Sequence, residues 1–211
     1  MKLVMTSPRL LITLCTYNER ENLPLLIPEI HAVAPDADVL VIDDNSPDGT
    51  GQLADALAAA DPRIRVRHRA AKEGLGRAYL DGFGVALGAG ATTVVQMDAD
   101  FSHDPAALPA LVGPIIAAQA DLVIGSRYTA GGGVVDWGLA RRFVSRAGSL
   151  FARTVLRLGP HDLTGGFKAW RSETLAGVPF DGVHAGGYVF QIEMTFRATR
   201  LGARIAEIPI T

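Results

Sequence analysis

The sequence contains almost no cysteine and no long apolar run. Cys15 is the one cysteine in 211 residues, which excludes an internal disulfide and is typical of a reducing compartment. No apolar stretch approaches the roughly 18 residues that a membrane-spanning helix needs, so we expect no such helix. Residues 1–9 also lack the apolar core of a signal peptide. These absences favour a cytoplasmic protein.

An excess of one charge is lacking as well. The chain has 20 basic and 22 acidic residues, a formal net charge of −2, and this balance argues against a nucleic-acid partner. Apolar residues make up 48% of the sequence and charged residues 20%, proportions typical of a folded protein. The length is that of one ordinary domain, so we predict a single domain over residues 1–211.

Short apolar runs alternate with helical segments along the first half of the chain. The runs that we predict as strands lie at residues 10–15, 39–42, 64–68, 92–98 and 122–125. This alternation predicts an α/β fold with a mostly parallel central sheet and helices on both faces. The later predicted elements are a glycine-rich loop at 128–137, helix at 139–158, a strand at 167–170, a helix at 187–201 and a strand at 203–208.

Two carboxylates, Asp98 and Asp100, follow the fourth predicted strand directly. Open α/β sheets bind ligands at the carboxyl ends of their strands. Two acids this close repel each other unless a cation lies between them, and oxygen ligands suit Mg²⁺ or Mn²⁺ that also binds phosphate. The pattern therefore indicates a divalent metal that holds a diphosphate. A solvated turn capping the helix that begins near Pro105 is the alternative.

The common phosphate-binding loops are missing. The first strand runs into Thr16 and Tyr17 without a glycine, Gly74 and Gly76 lack a third glycine at the required spacing, and no Walker A loop occurs. A second acidic site, Asp44, is predicted at the same sheet edge, where it can accept hydrogen bonds from a base or ribose. A plain Asx turn is the alternative there.

Five motifs occur in order: LCTYNE at 14–19, VIDDNSPDGT at 41–50, MDADFSH at 97–103, GSRY at 125–128 and DLTGGF at 162–167. With these motifs the chain closely resembles, over nearly its whole length, the polyprenol-phosphate mannosyltransferases (dolichol-phosphate mannose synthases). These are inverting enzymes of glycosyltransferase family 2 with the GT-A nucleotide-diphospho-sugar transferase fold. The resemblance implies transfer of a hexose, foremost mannose from GDP-mannose, to a polyprenyl (dolichyl-type) monophosphate, with Mg²⁺ or Mn²⁺ as cofactor.

The resemblance also implies residue roles. The donor-binding residues are Cys15 (where the family often has proline), Tyr17, Glu19, Ile42, Asp44, Asp98, Ala99 and Asp100. Asp98 and Asp100 hold the metal, and Ser102, which stands where some members have glutamine, reaches it through water. The acceptor phosphate is held by Arg127, Arg141 and Ser145, and the catalytic set is Asp100, Arg127 and Arg141. Relatives continue past residues 207–211 into a segment that closes over the diphosphate, so we expect a truncated chain or a closing segment from elsewhere.

No general base is expected, because a phosphate monoester is already an anion near neutral pH. The five histidines show no metal-ligand spacing, and a structural or surface role is favoured for each; His103, beside the metal loop, is the most open case. Asp162 either orients the sugar or Arg127, or caps a turn. Glu193 is expected on a solvated helix face.

Residues 137–158 carry five arginines and no acid, within a predicted acceptor loop and amphipathic helices at about 128–158. Four apolar residues fall on one helical stripe: Phe143, Leu150, Phe151 and Leu158. Together with a lipid acceptor, this predicts peripheral binding to the cytoplasmic face of a membrane, with an anchoring partner subunit left open. A core-facing helix with solvated arginines is the alternative.

Four other functions are alternatives. A polyprenyl-phosphate glucosyltransferase using UDP-glucose would share the fold and the metal site. The missing closing segment is the ground for a non-catalytic nucleotide-sugar binding module. A metal-dependent nucleotidyltransferase would share a similar sheet but release pyrophosphate from a nucleoside triphosphate. Transfer to a sugar hydroxyl would need a catalytic Glu-Asp pair and a Gln-x-x-Arg-Trp motif, and the sequence contains neither.

Overall fold

The structure, a computed structural model, describes residues 9–133 and 139–211, and for residues 139–146 it describes the backbone alone. The strands are β1 (Leu10–Thr16), β2 (Asp38–Asp43), β3 (Ile64–His68), β4 (Thr93–Asp98), β5 (Leu122–Ser126), β6 (Lys168–Arg171) and β7 (Ile205–Pro209). The helices are α1 (Leu23–Val33), α2 (Thr50–Ala60), α3 (Leu75–Gly88), α4 (Leu108–Ile116), α5 (Leu139–Leu156), α6 (Ser172–Ala176) and α7 (Gly187–Arg200).

The seven strands form one sheet in the order β3-β2-β1-β4-β6-β5-β7. β1 pairs in parallel with β2 and β4, and β2 pairs in parallel with β3. β7 is parallel to β5, whereas β6 lies antiparallel between β4 and β5. The predicted α/β architecture with a mostly parallel sheet is therefore confirmed.

Helices cover both faces of the sheet, which explains why its strands are almost uninterrupted apolar runs. Successive side chains alternate between the two faces. Ile12, Val41 and Val95 pack on the face that carries α1 and α4. Leu11, Leu40 and Val94 pack on the opposite face, with α3 and α7. This double burial fixes the strand register and therefore the position of each strand end.

The predicted helical stretch at 139–158 is one helix, α5, and its apolar residues divide between two surroundings. Leu150 and Phe151 are exposed, with 63% and 69% of their surface accessible. Leu158 lies beyond the end of the helix and is buried against Leu163. The predicted single apolar stripe is therefore wrong for Leu158, because the chain turns inward after α5. The side chain of Phe143 lies outside the described residues.

Candidate functional site

Two adjoining pockets lie at the carboxyl ends of β1 and β4. The larger has a volume of about 520 Å³ and the smaller about 290 Å³. Leu75, Asp98 and Asp100 line both of them. The two carboxylates predicted to bind metal therefore stand where the pockets meet.

The smaller pocket brings together most residues predicted to bind the donor. Its lining includes Cys15, Tyr17, Glu19, Asp44, Asp98, Ala99 and Asp100. Ile42 is the exception, because its side chain is fully buried against α3 and does not line this pocket. Desolvation, together with the charge of Asp98, raises the pKa of the Cys15 thiol well above its ordinary value, so the thiol is neutral.

Two basic residues that the sequence motifs did not indicate shape the smaller pocket. Arg69 forms an ion pair with Asp44, whose second carboxylate oxygen accepts the Gly74 N–H at 3.2 Å. Lys72 places its ammonium 3.3 Å from the centre of the Tyr17 ring, a cation–π contact. Asp44 is therefore held in place by the glycine loop, more firmly than a plain Asx turn would hold it.

The Asp98 carboxylate is fixed from within the core. Tyr79, on α3, is fully buried, and its hydroxyl lies 2.9 Å from both Asp98 Oδ1 and the carbonyl oxygen of Met97. Burial, followed by the charge of Asp98, raises the pKa of Tyr79 well above its ordinary value. The hydroxyl therefore keeps its proton and can donate it to the carboxylate.

His103 holds the loop that carries the two acids. The Asp98 N–H donates to His103 Nδ1 at 3.0 Å, and the ring stacks on Phe167 with centroids 4.8 Å apart. Because Nδ1 accepts, the ring proton is on Nε2, which lies 3.7 Å from Asp98 Oδ2. Burial lowers the pKa of His103, although the charges of Asp98 and Asp100 oppose this. These contacts support the structural role that the sequence favoured.

Asp100 is oriented by its own loop. Its Oδ1 accepts the Ser102 N–H at 3.0 Å. Burial alone would raise the pKa of Asp100, but hydrogen bonds from the Ser102 hydroxyl and N–H bring it below its ordinary value. Phe101, between these residues, has a φ of +61°, which is unusual for a bulky side chain and imposes the sharp turn of the loop.

The acidic loop fits a divalent ion that completes its coordination with substrate. Among the residues that the structure describes, no three His, Cys, Asp or Glu side chains come together as metal ligands. Asp98 and Asp100 nevertheless present carboxylate oxygens at one pocket junction, and Mg²⁺-type ions are commonly bound by one or two carboxylates plus phosphates and water. A Cβ on Gly166 would lie 3.2 Å from Asp98 Oδ2, so only a glycine here leaves enough space for the carboxylate in its present position.

Arg127 and Asp162 form a bidentate ion pair beside the larger pocket. Arg127 Nε donates to Asp162 Oδ2 at 2.6 Å, and one terminal nitrogen donates to Oδ1 at 2.8 Å. Although burial opposes ionisation, the hydrogen bonds and charge of Arg127 lower the pKa of Asp162 below its ordinary value. Asp162 also accepts the Gly165 N–H at 3.0 Å. It therefore both orients Arg127 and caps the turn, two roles that the sequence left as alternatives.

Two further predictions have different outcomes. The side chains of Arg141 and Ser145 lie outside the described residues, so their contact with the acceptor phosphate stays a prediction. Glu193 does not lie on an open solvated face as expected. The Glu193 carboxylate lies 2.7 Å from a terminal nitrogen of Arg197 and accepts the Ala185 N–H at 3.1 Å. Glu193 therefore anchors the loop before α7.

The chain matches a protein-family model and curated relatives over most of its length. Residues 11–176 match the family described as Glycosyl transferase family 2. An undecaprenyl-phosphate mannosyltransferase from Micrococcus luteus is 49% identical over 203 residues, which is 96% of this chain and 83% of that protein. A polyprenol monophosphomannose synthase from Mycolicibacterium smegmatis is 47% identical over 209 residues, 99% of this chain and 78% of that protein.

Solved structures of glucosyl-3-phosphoglycerate synthase from Mycobacterium tuberculosis share the fold. One, in complex with Mn²⁺, UDP-glucose and phosphoglyceric acid, has a TM-score of 0.69 and 23% identity, over 96% of this chain and 69% of that chain. Another has a TM-score of 0.70 and 23% identity, over 96% and 71% of the two chains. At this identity the likeness concerns the fold, and it confirms the predicted GT-A architecture.

Proposed function

The chain belongs to glycosyl transferase family 2, and from this premise we propose that it transfers mannose from GDP-mannose to a polyprenyl monophosphate. Both curated relatives carry names for mannose transfer to a polyprenyl carrier, in agreement with the resemblance seen in the motifs. The observation that carries the proposal is the position of Asp98 and Asp100, where a nucleotide-sized pocket meets a second pocket beside Arg127.

The reaction is a direct displacement at the anomeric carbon. An oxygen of the acceptor phosphate attacks, the bond from carbon to the donor's diphosphate breaks, and the configuration inverts. No side chain has to remove a proton, because the acceptor oxygen is already ionised. This is consistent with a neutral His103 that holds the loop.

The chain's own groups position the two substrates. The smaller pocket holds the nucleotide between Tyr17 and Asp44, and Arg127 is preoriented by Asp162 to bind the acceptor phosphate in the larger pocket. Asp98 and Asp100 would hold the Mg²⁺ or Mn²⁺ ion, which would supply positive charge to the leaving diphosphate. Arg141 and Ser145 complete the acceptor site in this proposal.

The membrane surface is the place where this reaction occurs. No helix within residues 9–133 or 139–211 is both long and apolar enough to cross a bilayer. The exposed apolar side chains of α5, namely Leu150, Phe151 and Val155, together with the arginines of this segment suit a helix lying among lipid headgroups. We place the enzyme on the cytoplasmic face, whether or not a partner subunit assists.

The test is transfer of labelled mannose from GDP-mannose to a polyprenyl phosphate with Mn²⁺. We expect metal-dependent transfer that falls by at least about 100-fold in Asp100→Asn, since one group stabilising the leaving charge is lost. Asp36→Asn, the same change at an exposed acid that lines neither pocket, is the matched control. Transfer from UDP-glucose alone would replace the donor in this proposal. Nucleotide-sugar binding without any transfer would instead favour a binding module.

A further inference from the structure

A lysine that the proposed mechanism does not use is hydrogen-bonded to Gln191, which lines the larger pocket. Lys168, the first residue of β6, is fully buried. Its ammonium donates to the backbone carbonyl of Gln191 at 2.9 Å and to the hydroxyl of Thr195 at 3.0 Å. Both acceptors belong to α7, and Gln191 lines the larger pocket. Lys168 therefore links the sheet to the helix that borders the candidate active site.

Lys168 has no carboxylate within ion-pair distance among the residues whose side chains are described, which is unusual for a buried cation. Burial lowers the pKa of Lys168 to about 7, and the charge of Asp162 opposes this. Asp162 is itself paired with Arg127. Among the described side chains, the ammonium of Lys168 therefore contacts neutral hydrogen-bond acceptors and no carboxylate.

Two buried amides accompany the lysine. Gln96 pairs with Lys168 across β4 and β6, so the two side chains project from the same face of the sheet toward α7. Gln96 and Gln191 are 0% and 2% exposed, and neither of their amide groups has a hydrogen-bond partner in the described structure. Buried polar atoms in this situation are ordinarily satisfied by ordered water or by a ligand.

We propose, on the premise of the function given above, that Lys168 is a positioning residue that supplies the countercharge for the acceptor phosphate. In this proposal its charge acts through the unpartnered amides of Gln96 and Gln191, and Gln191 lines the larger pocket. Such a charge would add to that of Arg127, the one lysine or arginine among the described residues that line the larger pocket, where Asp98 and Asp100 repel an anion. Arg127 is already neutralised by Asp162.

The proposal makes the ionisation of Lys168 depend on the ligand. A phosphate dianion bound in the larger pocket favours the charged form of a nearby ammonium and therefore raises the pKa of Lys168. The charged group that acts on Lys168 is Asp162, which is paired with Arg127, while β4 and α7 present amides and a hydroxyl to the lysine. Near pH 8 the arriving dianion is therefore expected to draw a proton onto Lys168.

The experiment is calorimetric titration of the enzyme with geranyl monophosphate near pH 8, in saturating GDP and Mn²⁺. The titration is repeated in two buffers of different ionisation enthalpy, and the difference in observed binding enthalpy gives the number of protons taken up. The phosphate, with a second pKa of about 6, takes up none itself. For a rise of one pKa unit we expect uptake of about half a proton in the wild type, no uptake in Lys168→Met, and about tenfold weaker binding by that variant. Thr195→Val, which removes a partner but keeps the ammonium, should retain the uptake.

The outcomes separate the inference from its premise. Binding with equal proton uptake in wild type and Lys168→Met, or with none in the wild type, overturns the role of Lys168 alone. If GDP binds but geranyl monophosphate does not bind the wild type, the proposed acceptor is wrong and the inference falls with it. Because an apolar residue at a buried charged position is often tolerated, Lys168→Met should fold, and Lys168→Gln provides a second test.

Discussion

At the scale of single residues, the site depends on carboxylates that hydrogen bonds hold in place. Tyr79 donates to the Asp98 carboxylate, the Ser102 N–H to Asp100 and Arg127 to Asp162, while His103 accepts the Asp98 N–H. Fixed acids of this kind do not have to reorganise when substrate arrives, which lowers the free-energy barrier of the reaction. The consequences can be measured one residue at a time.

Replacing Asp162 by Asn should damage both stability and activity. The change keeps the shape of the side chain but removes the charge of a fully buried carboxylate that pairs with the half-buried Arg127 guanidinium. Removing one partner of a buried ion pair typically costs about 3–5 kcal/mol, so urea denaturation should show a loss of that order. A loss below about 1 kcal/mol would mean that the pair is solvated in the folded protein.

Replacing Gly166 by Ala should weaken metal binding more than stability. The added Cβ would lie 3.2 Å from Asp98 Oδ2 and 3.4 Å from His103 Cε1, so the carboxylate must move by a few tenths of an ångström. We expect about tenfold weaker Mn²⁺ binding in a titration followed by electron paramagnetic resonance, in line with the usual effect of disturbing groups around metal ligands. Gly84→Ala on α3, whose Cβ meets nothing within 4 Å, is the matched control.

The sequence predicted the residues at this scale only where a motif follows a strand. Asp44, Asp98 and Asp100 follow apolar runs, so their place at the sheet edge could be predicted from the run itself. The positions of Tyr79 and Gln191 could not be predicted. Each lies within a helix, and packing against the sheet determines which side of the helix faces the site. The Gly165-Gly166 pair before Phe167 was the remaining signal for a close approach of the backbone.

At the scale of elements, β6 and α7 determine how the fold responds to pH. Lys168 joins them through two hydrogen bonds and is fully buried. In the unfolded chain the lysine has its ordinary pKa of 10.5, whereas in the folded protein the pKa is lowered to about 7. Between these values the unfolded chain binds more protons, so stability must rise with pH.

Wild-type stability should accordingly increase between pH 7 and pH 9 by about 2 kcal/mol relative to Lys168→Met, at a slope of up to about 1.4 kcal/mol per unit. Below pH 7 both states are protonated, and the difference should become constant. Chemical denaturation of both proteins at several pH values gives the comparison. Parallel pH profiles of the two proteins would show that folding does not change the protonation of Lys168 in this pH range.

The strands of the first half were predicted within a residue or two because each is a short, doubly buried run. The position and direction of β6 could not be predicted. Its pairing with β4 joins residues such as Val94 and Trp170 that are far apart in sequence, and nothing in either run specifies the partner. The short helix α6 was also missed, because five residues show too little periodicity.

At the scale of the whole molecule, one side of the protein is suited to a membrane. Leu150, Phe151 and Val155 on α5 have at least 60% of their surface exposed. Apolar side chains at this density next to arginines are typical of helices that lie in the headgroup region. The candidate active site and this surface belong to adjoining segments of the chain, which suits a substrate with a lipid tail.

Replacing Leu150, Phe151 and Val155 together by Ser should reduce binding to anionic vesicles at least about tenfold, because each side chain loses apolar burial in the bilayer. Sedimentation with vesicles of phosphatidylglycerol and phosphatidylcholine measures it. Leu25 and Ile116, on α1 and α4, are similarly exposed at 61% and 57%, and their replacement by Ser is the matched control. Equal losses in both variants would show general adhesion instead of a docking face.

The antiparallel strand β6 has a further consequence for synthesis on the ribosome. Once residues 9–98 have emerged, β3, β2, β1 and β4 can pair, but the free edge of that half-sheet is the apolar strand β4. Its neighbour lies some seventy residues further along and must arrive before β5 can join the sheet. Unpaired apolar edges invite association between nascent chains. We therefore expect the slow, aggregation-sensitive step of folding to be insertion of β6, which also delivers Gly166 and Lys168 to the finished site.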